Sequence, residues 1–170
     1  MTGEIMKLNE LLTRVKEIKN GLERKLFFTA VLTEALKEEG KPIVVGGTAV
    51  EFYTLGGYST LDLDLVYKKR ESLDKLLQKL EFKKYGRHWY KEELDLAIEI
   101  PSSELTGSKD RLTRIEFEGI SAYIIGIEDI IADRLNAYVH WKSEDDGRWA
   151  KRMMYLHRDK IDWGYLEDRS

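Results

Sequence analysis

Two aspartates separated by a single residue are the side chains in this sequence best suited to chemistry. Asp62 and Asp64 lie in a segment, residues 60–67, in which every second residue is a leucine or another apolar residue. Successive side chains of a strand point to opposite faces, so both carboxylates are expected to project from one face. The other face would enter the core through three leucines, Leu61, Leu63 and Leu65. Adjacent carboxylates repel each other, and a hard cation such as Mg²⁺ or Mn²⁺ is their natural counter-charge.

A glycine pair upstream supplies a second chemical feature. Gly46 and Gly47 follow the apolar residues 43–45 and precede Thr48 and a helix-like segment that reaches Tyr53. This order predicts a strand, a glycine turn and a helix. Glycine lets the backbone approach a ligand closely, and the free N–H groups of a helix N-terminus attract anions. We therefore expect Gly46 and Gly47 to bind phosphate, with a further contact from the hydroxyl of Thr48.

A third carboxylate is available on a later predicted strand, residues 94–100. The apolar residues of this segment share one face: Leu94, Leu96, Ile98 and Ile100. Asp95 and Glu99 then lie on the opposite face. These two acids are about 13 Å apart along a strand, so only one is expected to lie level with the aspartate pair. The spacing does not choose between them.

Periodicity predicts the elements that must position these residues. Apolar spacing indicates two leading helices, in residues 8–18 and 22–36. We divide the chain into leading helices (1–41), a sheet core (42–126) and C-terminal helices (127–170), all within a single domain.

The sheet core is expected to contain a helix at residues 73–80 and a β meander across residues 82–100. Two further strands are predicted at residues 114–118 and 121–125, joined at Gly119. His88 and Trp89 fall on the meander. One alternative is that they approach the face of the acids, but we favour the interpretation of the histidine as a surface residue of a hairpin.

Composition excludes several classes of protein. Lys and Arg number 28 against 31 Asp and Glu, for a net charge of −3, and they are scattered, so no overall basic field indicates nucleic acid. The absence of Cys excludes disulfides and cysteine-bound zinc. No apolar run approaches the ~18 residues of a membrane span. These features predict a cytoplasmic protein with no membrane partner.

The order of these motifs resembles the nucleotidyltransferase fold of polymerase-β-like enzymes, and especially its minimal members such as the AbiEii-type toxins. In those relatives a Gly-Gly-x-Ala-h stretch, where h is apolar, precedes a Thr or Ser, an apolar residue and Asp-h-Asp-h. Residues 46–50 and 60–65 match these two stretches here. Residues 98–101 resemble a third motif of one uncharacterised branch, which favours Glu99 over Asp95.

The resemblance implies an α+β fold, with a twisted mixed sheet, flanking helices and a C-terminal helical segment. It further implies that Asp62, Asp64 and Glu99 bind Mg²⁺ or Mn²⁺, and that an NTP is the substrate. Glu99, or failing that Asp95, would also accept the proton of the attacking hydroxyl. Thr60 is expected beside the phosphates.

Residues 129–134 resemble a further pattern of the superfamily, "D-h-h-h-x-K/R", on the helix that precedes the C-terminal helices. The resemblance implies that Arg134 contacts a phosphate, which a guanidinium grips through a planar fork. The alternative is a salt bridge from Arg134 to Asp129 or Glu128.

The resemblance leaves the acceptor open. AbiEii-type proteins suggest RNA, such as a tRNA end, in a toxin–antitoxin system with an antitoxin partner. Other minimal relatives modify small molecules or proteins. The alternative is a nucleotide-binding or antitoxin-like module that keeps the fold with little or no catalysis.

Overall fold

The computed structural model describes residues 2–169, which form a seven-stranded sheet with helices packed around it. The strands are β1 (Ile43–Val45), β2 (Asp62–Val66), β3 (Lys83–Tyr85), β4 (His88–Lys91), β5 (Leu96–Ser102), β6 (Thr113–Phe117) and β7 (Ile120–Ile124). The helices are α1 (Thr2–Glu17), α2 (Gly21–Ala35), α3 (Gly46–Tyr53), α4 (Arg70–Lys79), α5 (Ile127–Trp141), α6 (Glu144–Leu156) and α7 (Trp163–Arg169). Within residues 2–169 no helix is long and apolar enough to cross a membrane.

The sheet is mixed, as the sequence predicts, and its strand order is β3-β4-β5-β2-β1-β7-β6. β2 lies at the centre, antiparallel to β1 and parallel to β5. β1 is in turn parallel to β7, while the β3–β4, β4–β5 and β6–β7 pairs are antiparallel. The predicted α+β class is therefore confirmed, and the aspartate strand has a neighbour on both sides.

Burial of apolar side chains fixes which face of β2 carries the acids. Leu63 and Leu65 are fully buried, whereas Asp62 and Asp64, which alternate with them, are half-buried on the opposite face. Helix α2 covers part of the core: its residues 26–32 are all buried, and it packs against β7, β6 and α1. Such side chains each contribute about 1.5–3 kcal/mol by leaving water. The acids are thus held by a rigid, apolar-backed strand.

The prediction that Leu61 enters the core is wrong, since 91% of its surface is exposed. β2 begins at Asp62, where its pairing with Ala97 of β5 begins, and the pairing with β1 covers only Asp64, Leu65 and Val66. Leu61 therefore precedes the strand and does not share its alternation.

The strand predicted to carry the third acid is present, but its bounds are shifted by two residues. β5 begins at Leu96 and continues through Pro101 to Ser102, whereas we expected it to begin at Leu94 and end at the proline. Residues 92–94 form a 3-10 turn instead, and Asp95 closes it with a left-handed φ of 50°. Asp95 therefore lies outside the strand. A further helix, α7, follows the two C-terminal helices that the pattern indicates.

Candidate functional site

The register of three adjacent strands brings the predicted acids together. Asp64 lies opposite Val45 of β1 on one side and opposite Glu99 of β5 on the other. Asp62 is level with Ala97, two residues earlier in β5. Paired strands run about 4.8 Å apart, so the carboxylates of Asp64 and Glu99 project as neighbours from the same face.

Asp95 does not join this group. Its side chain is 84% exposed, and its charged partner is Arg24, with 3.9 Å between the nearest Arg24 nitrogen and the Asp95 carboxylate. The two candidates for the third acid are thereby separated by the structure: Glu99 faces the aspartate pair and Asp95 faces α2.

The glycine turn is built against Asp64. Strand β1 passes directly into α3, whose N-cap residue Val45 has no polar side chain to offer the free N–H groups of the first turn. The carboxylate of Asp64 takes that place, since its Oδ2 accepts a hydrogen bond of 3.2 Å from the Gly47 backbone N–H. The helix start and the aspartate strand are consequently one unit.

Gly46 is required here for two reasons. Its φ of +59° lies in the left-handed region, which disfavours other residues. In addition, a Cβ at this position would collide with the carboxylate of Asp64, whose Cγ would be only 3.0 Å away. The close approach of backbone and carboxylate therefore depends on the absence of a side chain.

The ionisation of Asp64 reflects its crowded setting. The pKa of Asp64 is raised to about 6, mainly by burial and in addition by the charges of Glu99 and Asp62, while the hydrogen bond from Gly47 and the charge of Arg134 oppose the rise. At neutral pH the carboxylate is ionised at a cost in free energy. The site thus carries negative charge that the protein itself compensates only in part.

Two threonines expected at the phosphates have different surroundings. Thr48 is fully buried, and its hydroxyl donates a 2.8 Å hydrogen bond to the carbonyl of Asp62. We therefore do not retain its hydroxyl as a phosphate contact; its role is to hold the aspartate strand. Thr60 lies against the turn, since a Cβ on Gly47 would be 3.1 Å from the Thr60 Oγ1.

A buried ion pair fixes the segment that leads into β2. Lys25 and Glu51 are 5% and 8% exposed, and the Lys25 Nζ lies 2.6 Å from the Glu51 Oε1. The same ammonium donates a 2.8 Å hydrogen bond to the carbonyl of Thr60. Helices α2 and α3 are thereby tied to the residue that precedes Leu61 and Asp62.

His88 lies at the acids, which is the less favoured of the two alternatives considered from the sequence. Its Nε2 is 3.3 Å from the Asp62 Oδ2 and 3.5 Å from the Glu99 Oε2. The antiparallel register of β4 and β5 sets His88 directly opposite Glu99. The signal was present in the sequence: Trp89 is apolar and turns inward, so its neighbour His88 turns towards the face of the acids.

Arg134 lines a cavity of about 330 Å³ that opens beside Asp64 and Glu99. Its guanidinium pairs with Asp133 and Asp146, each at 3.1 Å, rather than with the alternative partners considered above. The cavity is also lined by Val45, Gly46, Val66, Pro101, Ser102, Glu104, Thr106, Ile125, Ile130 and Asp133. The positive charge of Arg134 thus lies next to the acids, where it is already paired with two other carboxylates.

Asp129, which begins the "D-h-h-h-x-K/R" pattern, has a structural role. It is fully buried and accepts hydrogen bonds from the Ser108 N–H (2.8 Å), the Tyr165 hydroxyl (2.7 Å) and the Arg169 Nε (2.9 Å). It therefore joins α5 to α7 and to the loop after β5, and this network holds the helix that presents Arg134.

The chain belongs to the family described as "Nucleotidyltransferase of unknown function (DUF6036)", whose model matches residues 25–170. This confirms the predicted superfamily and a nucleotidyltransferase-like function. No curated protein sequence matches the chain significantly.

A solved structure of a nucleotidyltransferase-like protein shares the fold. The chain is similar to an antigenic nucleotidyltransferase-like protein from Paracoccidioides brasiliensis, with 16% identity, a TM-score of 0.58, and coverage of 84% of this chain and 78% of that one. A weaker similarity, with 16% identity and a TM-score of 0.43, covers 83% of this chain and 93% of the antibiotic-resistance factor ANT(2'')-Ia.

Proposed function

We propose that this protein transfers a nucleoside monophosphate from an NTP to a hydroxyl acceptor, with Asp62, Asp64 and Glu99 as the residues that hold Mg²⁺ or Mn²⁺. The observation that carries the proposal is the strand register, which sets Asp64 between Glu99 and the glycine turn. A carboxylate cluster and a triphosphate-binding turn are the two parts that nucleotidyl transfer needs side by side.

The chemistry of the donor set fits a divalent cation. Carboxylate oxygens are the ligands that Mg²⁺ and Mn²⁺ prefer. The pKa of Asp64 is raised to about 6, first by burial and then by the charges of Glu99 and Asp62, and a cation among these carboxylates would favour the ionised form. When bound, such cations stabilise the attacking and leaving oxygens of the displacement.

The glycine turn would bind the triphosphate. Because α3 begins at Gly46, the free N–H groups of its first turn and its helix dipole favour an anion beside Asp64. Gly46 and Gly47 leave the backbone uncovered there, and Thr60 borders the same turn. Arg134 lines the adjoining cavity and would attract a phosphate oxygen.

Glu99 is our choice for the general base. It is half-buried, it lines the cavity next to Asp64, and it lies in the row of the acids. A carboxylate in this position can accept the proton of an acceptor hydroxyl as the hydroxyl attacks the α-phosphate, and pyrophosphate then leaves. Asp95 faces Arg24 and has no such position.

We propose a small molecule as the acceptor ahead of RNA or tRNA. The cavity beside the acids holds Glu104 and Asp133 in addition to Asp64 and Glu99, and Arg134 is already paired with Asp133. A polyanionic acceptor would be repelled by these carboxylates, whereas a neutral or cationic one would not. Toxin activity towards RNA, with an antitoxin partner, is the competing outcome.

The test is incubation of the whole protein with α-labelled NTPs and Mg²⁺ or Mn²⁺, in separate reactions with aminated small-molecule alcohols, total tRNA and whole-cell protein. We expect labelled product and pyrophosphate in the small-molecule reaction, and none with the double variant Asp62→Asn, Asp64→Asn. Label on tRNA instead would support the toxin alternative. Tight NTP binding with no transfer to any acceptor would overturn the catalytic proposal in favour of a binding module.

A further inference from the structure

We propose that His88 is a metal ligand, which together with Asp62 and Glu99 forms a mixed nitrogen and oxygen site that binds Mn²⁺ in preference to Mg²⁺. The inference rests on the proposed function, in which the carboxylates hold a cation. It goes further because it adds a ligand from another strand and selects the ion.

The distances between the three side chains are those of ligands around one ion. The His88 Nε2 lies 3.3 Å from Asp62 and 3.5 Å from Glu99, and the three donor atoms are all within 4.8 Å of one another. Both separations exceed the roughly 2.9 Å of an ordinary N–H···O hydrogen bond. Neighbouring ligands with bonds of about 2.1 Å to one ion lie about 3.0–3.4 Å apart. The His88–Asp62 separation falls within this range, and the His88–Glu99 separation lies just above it.

The backbone holds His88 in this position. Four consecutive residue pairs, from His88–Glu99 to Lys91–Leu96, fix the register between β4 and β5. Next to His88, Trp89 is only 4% exposed, and its indole N–H donates a 3.2 Å hydrogen bond to Asp74 of α4. An anchored neighbour and a fixed register give the imidazole a preset location, as a metal ligand requires.

The imidazole determines which ion is preferred. Mg²⁺ demands near-octahedral oxygen ligands and keeps several waters, whereas Mn²⁺ and the later divalent metals accept an imidazole nitrogen more readily. Asp64 differs from Asp62 in this respect, because its Oδ2 faces the Gly47 N–H rather than the histidine. The nitrogen therefore belongs to the Asp62 end of the acidic cluster.

The experiment is Mn²⁺ binding by the whole protein without nucleotide, followed by electron paramagnetic resonance with detection of ¹⁴N coupling. His88→Gln removes the proposed ligand. The matched control is His140→Gln, since His140 is an exposed histidine on α5 and is not one of the proposed ligands. Competition with Mg²⁺ gives the affinity for the second ion.

We expect ¹⁴N coupling from bound Mn²⁺ in the wild type and in His140→Gln, and its loss in His88→Gln. Mn²⁺ affinity should fall about 10-fold or more in His88→Gln, while Mg²⁺ affinity changes less than about 3-fold. Mn²⁺ bound without ¹⁴N coupling, or with equal affinity in His88→Gln, would overturn this inference and leave the proposed function intact. Failure of the wild type to bind either ion would overturn both.

Discussion

The two ends of the acidic cluster are built in different ways. At the Asp64 end, the carboxylate is tied to the backbone of the glycine turn by the Gly47 N–H, and burial raises its pKa to about 6. At the Asp62 end, the carboxylate faces His88, a side chain brought from a separate hairpin. One end is therefore fixed by a turn and the strand beside it, and the other by the register of a seven-stranded sheet.

This difference shows which parts of the site are formed by residues close together in the sequence. The turn and the aspartate strand form a β–turn–α–β unit close in sequence, whereas Glu99 and His88 reach the acids only when β5 and β4 pair beside β2. Perturbing each end separately should therefore give different results. The following variants are ordered by the expected change in the free energy of unfolding, from the largest to the smallest.

Lys25→Met should cause the largest loss of stability. It removes the cation that pairs with the buried Glu51 and holds the Thr60 carbonyl ahead of the Asp62 end. An unpaired buried carboxylate costs about 3–5 kcal/mol, which chemical denaturation measures as the free energy of unfolding. The double variant Lys25→Met, Glu51→Leu should regain most of that loss. Equal instability of the single and double variants would mean that the ion pair is not the cause.

Gly46→Ala should disable the Asp64 end. An alanine at this position must keep a left-handed φ, which costs about 1–2 kcal/mol, and its Cβ displaces the Asp64 carboxylate. We expect transfer activity to fall at least about 100-fold, with Mn²⁺ coupling to His88 retained. Gly119→Ala is the control, since its φ is +94° but a Cβ there meets nothing within 4 Å. Normal activity in Gly46→Ala would disprove the tight packing of turn and carboxylate.

Asp64→Asn should stabilise the metal-free protein while abolishing transfer. The pKa of about 6 lies above the ordinary 3.8, so the ionised Asp64 is unfavourable above pH 6. As the pH falls from about 6 to 3.8, the folded protein binds a proton at Asp64 before the unfolded chain does. The contribution of Asp64 to the free energy of unfolding therefore rises as the pH falls through this range. Allowing for partial solvent screening, we expect a gain of about 1–2 kcal/mol at pH 7.5.

The measurement for Asp64→Asn is thermal unfolding in chelator across that pH range, with Asp62→Asn as the matched variant at the other end. The difference between wild type and Asp64→Asn should shrink from pH 7.5 towards pH 4. A constant difference would show that Asp64 has no raised pKa.

Leu61→Ser should have the smallest effect on the fold. With 91% of its surface exposed, Leu61 buries too little to matter, and the free energy of unfolding should change by less than about 0.5 kcal/mol. Leu63→Ala is the comparison, since Leu63 is fully buried and its truncation should cost about 2–5 kcal/mol. Similar losses in the two variants would contradict the observed start of β2.

The sequence predicted the local half of the site well. Alternation around Leu63 placed Asp62 and Asp64 on one face, and Gly46-Gly47 indicated a turn into a helix, because both signals depend on neighbouring residues. The mixed sheet and the superfamily followed from the order of these motifs and are confirmed.

The rest depended on pairings between distant strands. Alternation treats Asp95 and Glu99 alike, and only the left-handed turn at Asp95 and the pairing of Glu99 with Asp64 separate them. The same is true of His88, whose contact with Asp62 crosses β5, and of Leu61, which lies before the first residue of β2 that pairs with β5. Register is set by the whole sheet, so a single segment does not reveal it.

The central claim is that the carboxylates hold a divalent cation that in turn holds an NTP. The direct measurement is calorimetric binding of a non-hydrolysable NTP to the wild type and to the double variant Asp62→Asn, Asp64→Asn, with and without Mn²⁺ or Mg²⁺. We predict that the cation strengthens NTP binding by at least about 10-fold in the wild type and has no effect in the double variant. Equal cation-dependent binding by the two proteins would contradict the account.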